Sequence, residues 1–183
     1  MIHLVLGGAR SGKSNFAESQ VMQRVSNNKN QKGSRQLACL YFATAEALDT
    51  EMAARIVQHQ SKRQTEAIDW RTIESPLALT AALKSNVQQN SLVLVDCLTL
   101  WLTNHLLQKT DNWQTTKAEF LQTIAELPGE IILVSNEVGC GVVPMGEISR
   151  RFVDEAGWLH QDIAAIADRV TLVTAGLPLR LKG

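Results

Sequence analysis

The feature that most constrains this chain is an apolar run that ends abruptly in a glycine-flanked basic turn. Ile2, Leu4, Val5 and Leu6 read as a short buried strand, and residues 7–14 then read Gly-Gly-Ala-Arg-Ser-Gly-Lys-Ser. This fits G-x-x-x-x-G-K-[ST], the loop that cradles a polyphosphate between a strand and a helix. Gly7 and Gly12 let the backbone bend tightly and bring its N–H groups against phosphate oxygens. Lys13 reaches the β- and γ-phosphates as a point charge, and the Ser14 hydroxyl is placed to ligate Mg²⁺. The helix that starts here adds the positive end of its dipole.

The rest of the chain alternates strands with helices. The expected strands are 37–43, 70–74, 91–96, 130–135 and 169–174, with 177–181 pairing antiparallel after a turn at Gly176. Helices are expected over 15–26, from a cap at Asp49 or Thr50 to about Gln64, from Pro76 to about Val87, and over 98–107, 113–127 and 148–168. In the last helix Phe152, Ala156, Leu159, Ile163 and Ile166 recur at core-facing spacing. Most strands are continuously apolar, which indicates a mainly parallel sheet covered on both faces. Right-handed crossovers would then gather the phosphate loop, the 43–48 loop, Asp96 and the 136–146 loop along one carboxyl edge.

Composition narrows the classes. At 183 residues the chain fits one domain, 1–183, and Lys plus Arg equal Asp plus Glu at 18 each. A net charge of zero removes the bulk electrostatic case for nucleic acid or an anionic membrane surface. No apolar run approaches the roughly 18 residues of a membrane span, and no signal peptide is expected before a phosphate loop that begins at Gly7. Cys39, Cys97 and Cys140 are odd in number and widely spaced, so they suit neither a disulfide framework nor a zinc site and are expected as buried thiols. A cytoplasmic protein is the expectation.

Two further stretches carry chemistry. Ser91 to Asp96 is an apolar strand ending in an acid, the second Mg²⁺-site element of phosphate-loop proteins. In the helix of residues 50–64, Met52, Ile56, His59 and Arg63 form one stripe, and Arg55, His59, Lys62 and Arg63 share a face. Arg55 and Lys62 are equally readable as an ordinary solvated face. His59 sits where the apolar stripe meets the basic face, as a core histidine or as one held among phosphate-attracting cations. A nucleoside-triphosphate enzyme with Mg²⁺ follows, in one of three classes: small-molecule kinase or nucleotidyltransferase, ATPase module on nucleic acid, or nucleotide switch. Zero net charge counts against the second, the lack of an Asn-Lys-x-Asp motif against the third, and His59 among cations favours the first.

The motifs resemble a known family. Residues 7–14, Tyr-Phe-Ala-Thr-Ala (41–45), Asp-Thr-Glu-Met-Ala-Ala-Arg-Ile (49–56) with His59 and Arg63, Trp-Arg-Thr (70–72) and Ser-Asn-Glu-Val-Gly-Cys-Gly-Val-Val-Pro (135–144) are similar, nearly end to end, to the bifunctional adenosylcobinamide kinase / adenosylcobinamide-phosphate guanylyltransferases of cobalamin biosynthesis. The resemblance implies a three-layer α/β RecA-like phosphate-loop fold with a C-terminal antiparallel edge hairpin. It implies phosphorylation of adenosylcobinamide with ATP or GTP, then GMP transfer from GTP through a guanylylated histidine. That histidine matches His59. Nucleotide contacts carry over onto Gly7, Gly8, Ala9, Arg10, Ser11, Gly12, Lys13, Ser14, Ala43, Thr44, Ala45, Gln60, Ser61, Lys62, Arg63, Glu74 and Asp96, with Mg²⁺ on Ser14 and Asp96. A homo-oligomer, a trimer in the family, is implied as well. The family often has two adjacent histidines where Gln58 precedes His59 here, and often has Glu where this chain has Asp96.

Overall fold

The computed structural model describes residues 1–30, 36–47, 50–64, 68–108 and 112–183; within 50–64 the side chains of Arg55, His59, Gln60, Lys62, Arg63 and Gln64 lie outside the description. Strand β1 (Ile2–Gly7) is buried at every position and enters α1 (Lys13–Lys29) through the phosphate loop. There follow β2 (Ala38–Ala43), α2 (Thr50–Gln64), β3 (Trp70–Glu74), α3 (Leu79–Asn86), β4 (Ser91–Asp96), α4 (Leu98–Leu107) and α5 (Trp113–Glu126). The chain closes with β5 (Glu130–Asn136), α6 (Glu147–Ile166), β6 (Arg169–Thr174) and β7 (Leu177–Lys182). The expected α/β class holds. Among the described residues seven strands form one sheet in the order β3-β2-β4-β5-β1-β6-β7, parallel throughout except for the β6–β7 hairpin.

Alternation along the strands feeds two cores, one on each face. Ile2, Leu4 and Leu6 join Leu40, Phe42, Val93, Val95, Ile131 and Leu133 against α3, α4, α5 and α6. Val5 joins Tyr41, Leu92, Leu94, Ile132 and Val134 against Ala17 and Val21 of α1. Period-2 side chains on a doubly covered sheet point into a core at every position, which is why β4 and β5 read as apolar runs and β1 does so apart from the buried His3. The larger core centres on Trp101, which lies 4.8 Å from Phe120 and 5.2 Å from Trp113 between ring centroids. Both indole N–H groups are satisfied, Trp101 by the Leu77 carbonyl at 3.0 Å and Trp113 by Glu155 at 2.8 Å. Truncating either ring to alanine should cost about 3–5 kcal/mol.

Several expectations shift. α1 runs three residues past Ser26, to Lys29; no glycine or proline stops it, and a lysine in its last turn suits the dipole. α3 begins at Leu79 rather than Pro76, because the carbonyls of Pro76 and Leu77 accept bonds from Asn104, Trp101 and His105 and are drawn out of a helix. Ile166 is exposed, its expected core place taken by the buried Ala167 as the chain leaves α6. Cys39 and Cys97 are buried, but Cys140 is exposed, lifted out between Gly139 and Gly141. The Asp49 cap, Leu48 and the polar breaks at 31–35 and 109–111 lie outside the described residues. No described helix is long and apolar enough to cross a membrane.

Candidate nucleotide site

The phosphate loop is held from both flanks. The Gly7 carbonyl accepts the N–H of Glu137 at 3.0 Å, and the Ser11 carbonyl accepts the N–H of Gly176 at 2.8 Å. Gly7 is a close-approach glycine: a Cβ there would meet the Ser11 side chain and lie 2.6 Å from the Val173 carbonyl. Gly12 takes φ of 93° at the start of α1, a conformation that disfavours any side chain. No side chain caps α1, and no acid sits in its first turn. Its first N–H groups are thus left for an anion. Lys13 Nζ reaches back to the Gly8 carbonyl at 3.3 Å, a weak bond that a phosphate would replace.

The loop opens into a cavity of about 960 Å³. Of the expected nucleotide residues, Ala9, Arg10, Ser11, Gly12, Lys13, Ser14, Ala43, Ala45, Glu74 and Asp96 line it. They come from the carboxyl ends of β1, β2, β3 and β4, the edge at which open parallel sheets gather ligands. Gly7 and Gly8 lie outside the lining, within the loop's own turn. Thr44 is fully buried behind the wall: its hydroxyl donates to the Cys97 carbonyl at 2.7 Å and accepts the Cys97 N–H at 2.8 Å. Asn104 braces the same corner by donating to the carbonyls of Thr44 and Pro76, each at 2.9 Å. Ser61 is exposed and does not line the cavity. The side chains of His59, Gln60, Lys62 and Arg63 lie outside the described residues; their helix positions are defined.

Asp96 ends β4, and β5 separates that strand from β1. The Tyr41 hydroxyl donates to Asp96 Oδ2 at 3.2 Å, which orients the carboxylate. Next to it, burial and the Asp96 charge push the Cys97 thiol up to about 11, so it stays protonated at neutral pH. Ser14 and Asp96 offer hydroxyl and carboxylate oxygens in one cavity. That donor set fits Mg²⁺, which takes one or two protein oxygens together with phosphates and waters. Among the described residues no cluster of three or more His, Cys, Asp or Glu forms an all-protein metal cage.

Beyond β5, a chain of groups running from the buried Ser135 and His160 to the partly exposed Glu137 ties down the start of the 136–146 loop. Ser135 and His160 share a hydrogen bond of 2.7 Å, Glu137 lies 3.8 Å from the other His160 nitrogen, and Glu137 accepts the Gly139 N–H at 2.7 Å. Burial lowers the His160 pKa, and the Glu137 charge opposes that shift. Sequence reasoning placed Asn136 only through its loop at the carboxyl edge, and did not place Tyr41, Cys97 or Pro76 at the site, yet all four line the cavity. Their one sequence signal is position: each lies at or near the carboxyl end of a parallel strand. α2 contributes Met52, Ile56 and Gln58.

A family model described as cobinamide kinase / cobinamide phosphate guanyltransferase matches residues 3–181. The chain is 52% identical over 186 residues to the bifunctional adenosylcobalamin biosynthesis protein CobP of Pseudomonas aeruginosa, with 100% of this chain and 98% of that protein covered. It is 38% identical over 196 residues to the bifunctional adenosylcobalamin biosynthesis protein CobU of Escherichia coli K12, with all of both chains covered. Against CobU of Salmonella typhimurium the identity is 33% over the same span, again with all of both covered.

Proposed function

Because the chain belongs to the cobinamide kinase / cobinamide phosphate guanyltransferase family, we propose that it serves cobalamin biosynthesis by running two reactions in the cavity described above. It is a bifunctional enzyme. In the first reaction the hydroxyl of the adenosylcobinamide aminopropanol arm forms an O–P bond to the γ-phosphorus of ATP or GTP, and the nucleoside diphosphate leaves. In the second, GMP passes from GTP to the new phosphate, giving adenosylcobinamide-GDP and pyrophosphate.

The observation that carries the reading is that one cavity holds both the phosphate loop and the apolar stripe of α2, through Met52 and Ile56. His59 follows Ile56 by three residues and Met52 by seven, so its helix position continues that stripe. In our reading its neutral imidazole attacks the α-phosphorus of GTP and pyrophosphate departs. The phosphate oxygen of adenosylcobinamide phosphate then displaces the histidine, breaking the P–N bond. Splitting one transfer into two is the gain of covalent catalysis.

Lys13 and the N–H groups at the start of α1 take up charge on the phosphates. Mg²⁺ bound by Ser14 and Asp96 would neutralise the same oxygens. Arg55, Lys62 and Arg63 stand within about one helical turn of His59 in sequence; their charges would favour neutral imidazole, the nucleophilic form. Gln60, Ser61, Glu74, Ala43 and Ala45 complete the proposed nucleotide contacts, and Thr44 supports them by holding the wall from behind. We also propose that residues 1–183 act as one domain, in the cytoplasm, and as a homo-oligomer of the trimeric kind. Support for association comes from Leu177, Leu179 and Leu181, all exposed along β7. The test is incubation of pure protein with α-labelled GTP and Mg²⁺. Acid-labile label on the protein is expected, and its absence from an enzyme still active as a kinase would leave a small-molecule kinase without guanylyl transfer.

A further inference from the structure

Asn136 ends β5, the strand between the phosphate-loop strand and the strand of Asp96, and its register partner is Gly7. It lines the cavity with Lys13, Ser14 and Asp96. Its amide nitrogen donates to the Thr99 hydroxyl at 3.0 Å, and that hydroxyl, itself buried, lies 3.2 Å from Cys97 Sγ. The amide is therefore tethered by its nitrogen. Its oxygen is buried and has no hydrogen-bond partner among the described residues. Buried amide oxygens are almost always paired, and an unpaired one destabilises the fold. A hydroxyl such as Ser11 Oγ, also unpartnered, can rotate its proton toward a new acceptor. The tethered Asn136 oxygen has no such freedom and needs a donor brought to it.

Resting on the kinase reading above, we propose that the Asn136 side-chain oxygen is a catalytic group of the phosphoryl-transfer step, accepting a hydrogen bond from an O–H that arrives with the substrates. Two O–H donors share this chemistry: the alcohol of the corrinoid arm and a water on the metal ion. An amide oxygen is too weak a base to keep the proton. It orients the O–H while the alcohol oxygen bonds to the γ-phosphorus and the diphosphate leaves with the bridging electron pair. The proton passes to a phosphate oxygen or to solvent. Late deprotonation of this kind suits the loose transition state of phosphoryl transfer, in which alignment rather than base strength governs the rate.

The experiment compares wild type, Asn136→Ala and Asn136→Asp for phosphorylation of adenosylcobinamide, nucleotide affinity, Mg²⁺ dependence and melting temperature. Asn136→Ala should lower kinase kcat by about 10²-fold, the scale of a lost alignment, with nucleotide Kd within about twofold, the small change expected of a group that acts on alignment rather than binding. Asn136→Asp keeps an acceptor oxygen and should restore much of the rate. If the partner is the alcohol, the loss persists at saturating Mg²⁺. If it is metal-bound water, raising Mg²⁺ recovers the rate. Normal kcat in Asn136→Ala overturns the proposal, as does a parallel fall in melting temperature, nucleotide affinity and rate that Asn136→Asp does not rescue. A wild-type chain that forms no cobinamide phosphate overturns the kinase reading itself, which sets the two failures apart.

Discussion

The backbone N–H of Gly176 donates to the Ser11 carbonyl at 2.8 Å, so the turn of the last hairpin braces the phosphate loop at the other end of the chain. The turn places Ala175 at φ 52° and Gly176 at φ 78°, the left-handed pair of a type I′ hairpin. A Cβ on Gly12 would stand 3.2 Å from Gly176 Cα, which shows how closely the two turns pack. We therefore expect nucleotide binding and the stability of the β6–β7 edge to be coupled.

That coupling is testable at Ala175 and Gly176. Ala175→Asn places a residue tolerant of positive φ where alanine is strained, and should raise stability by about 0.5–1 kcal/mol. Gly176→Val meets open space but the wrong backbone conformation, and should cost about 1–2 kcal/mol. Thermal melting checks both. Nucleotide titration of Gly176→Val should show weaker binding, and unchanged affinity would disconnect the hairpin from the site.

Lys13→Ala removes the cation proposed to stand beside the terminal phosphates. Loss of one preorganised electrostatic group should lower both kinase and guanylyl transfer rates by about 10²-fold or more. Steady-state assays of the two reactions decide it, and normal rates in both would show that the loop does not hold the triphosphate.

His59→Asn should abolish covalent GMP labelling and guanylyl transfer while part of the kinase activity survives. A histidine with only a packing role predicts lower stability without selective loss of GMP transfer. The comparison therefore pairs labelling with a melting curve, and label retained on a folded variant would discard His59 as the carrier.

His3 gives the acid limb of stability. It is buried on β1, shares a 2.9 Å hydrogen bond with Thr171, and its pKa is lowered to about 4 by burial, aided by Arg169. Between pH 6.5 and about 4 the unfolded chain takes up a proton that the folded chain refuses, so stability falls as pH falls through that window. The loss attributable to His3 is up to about 3 kcal/mol. Burial lowers His105 and His160 in the same direction. Urea unfolding at pH 7.5 and pH 4.5 should show a smaller difference for His3→Gln than for wild type; an equal difference would remove His3 from the account.

The sequence by itself determined the features that depend on neighbours along the chain. The phosphate loop, the apolar runs of β1, β4 and β5 and the turn at Gly176 are legible because loop chemistry, strand period and turn residues act over a few positions. Tertiary structure alone decided what depends on partners far apart in sequence. The order β3-β2-β4-β5-β1-β6-β7 is invisible locally, since each parallel pairing is made across a long crossover, and this order sets β5 between Lys13 and Asp96. The late start of α3, the Tyr41 bond to Asp96 and the Asn136 oxygen left unpaired among the described residues follow from that assembly. Each reflects a polar group that finds, or lacks, its hydrogen-bond partner only once distant strand ends meet at one edge.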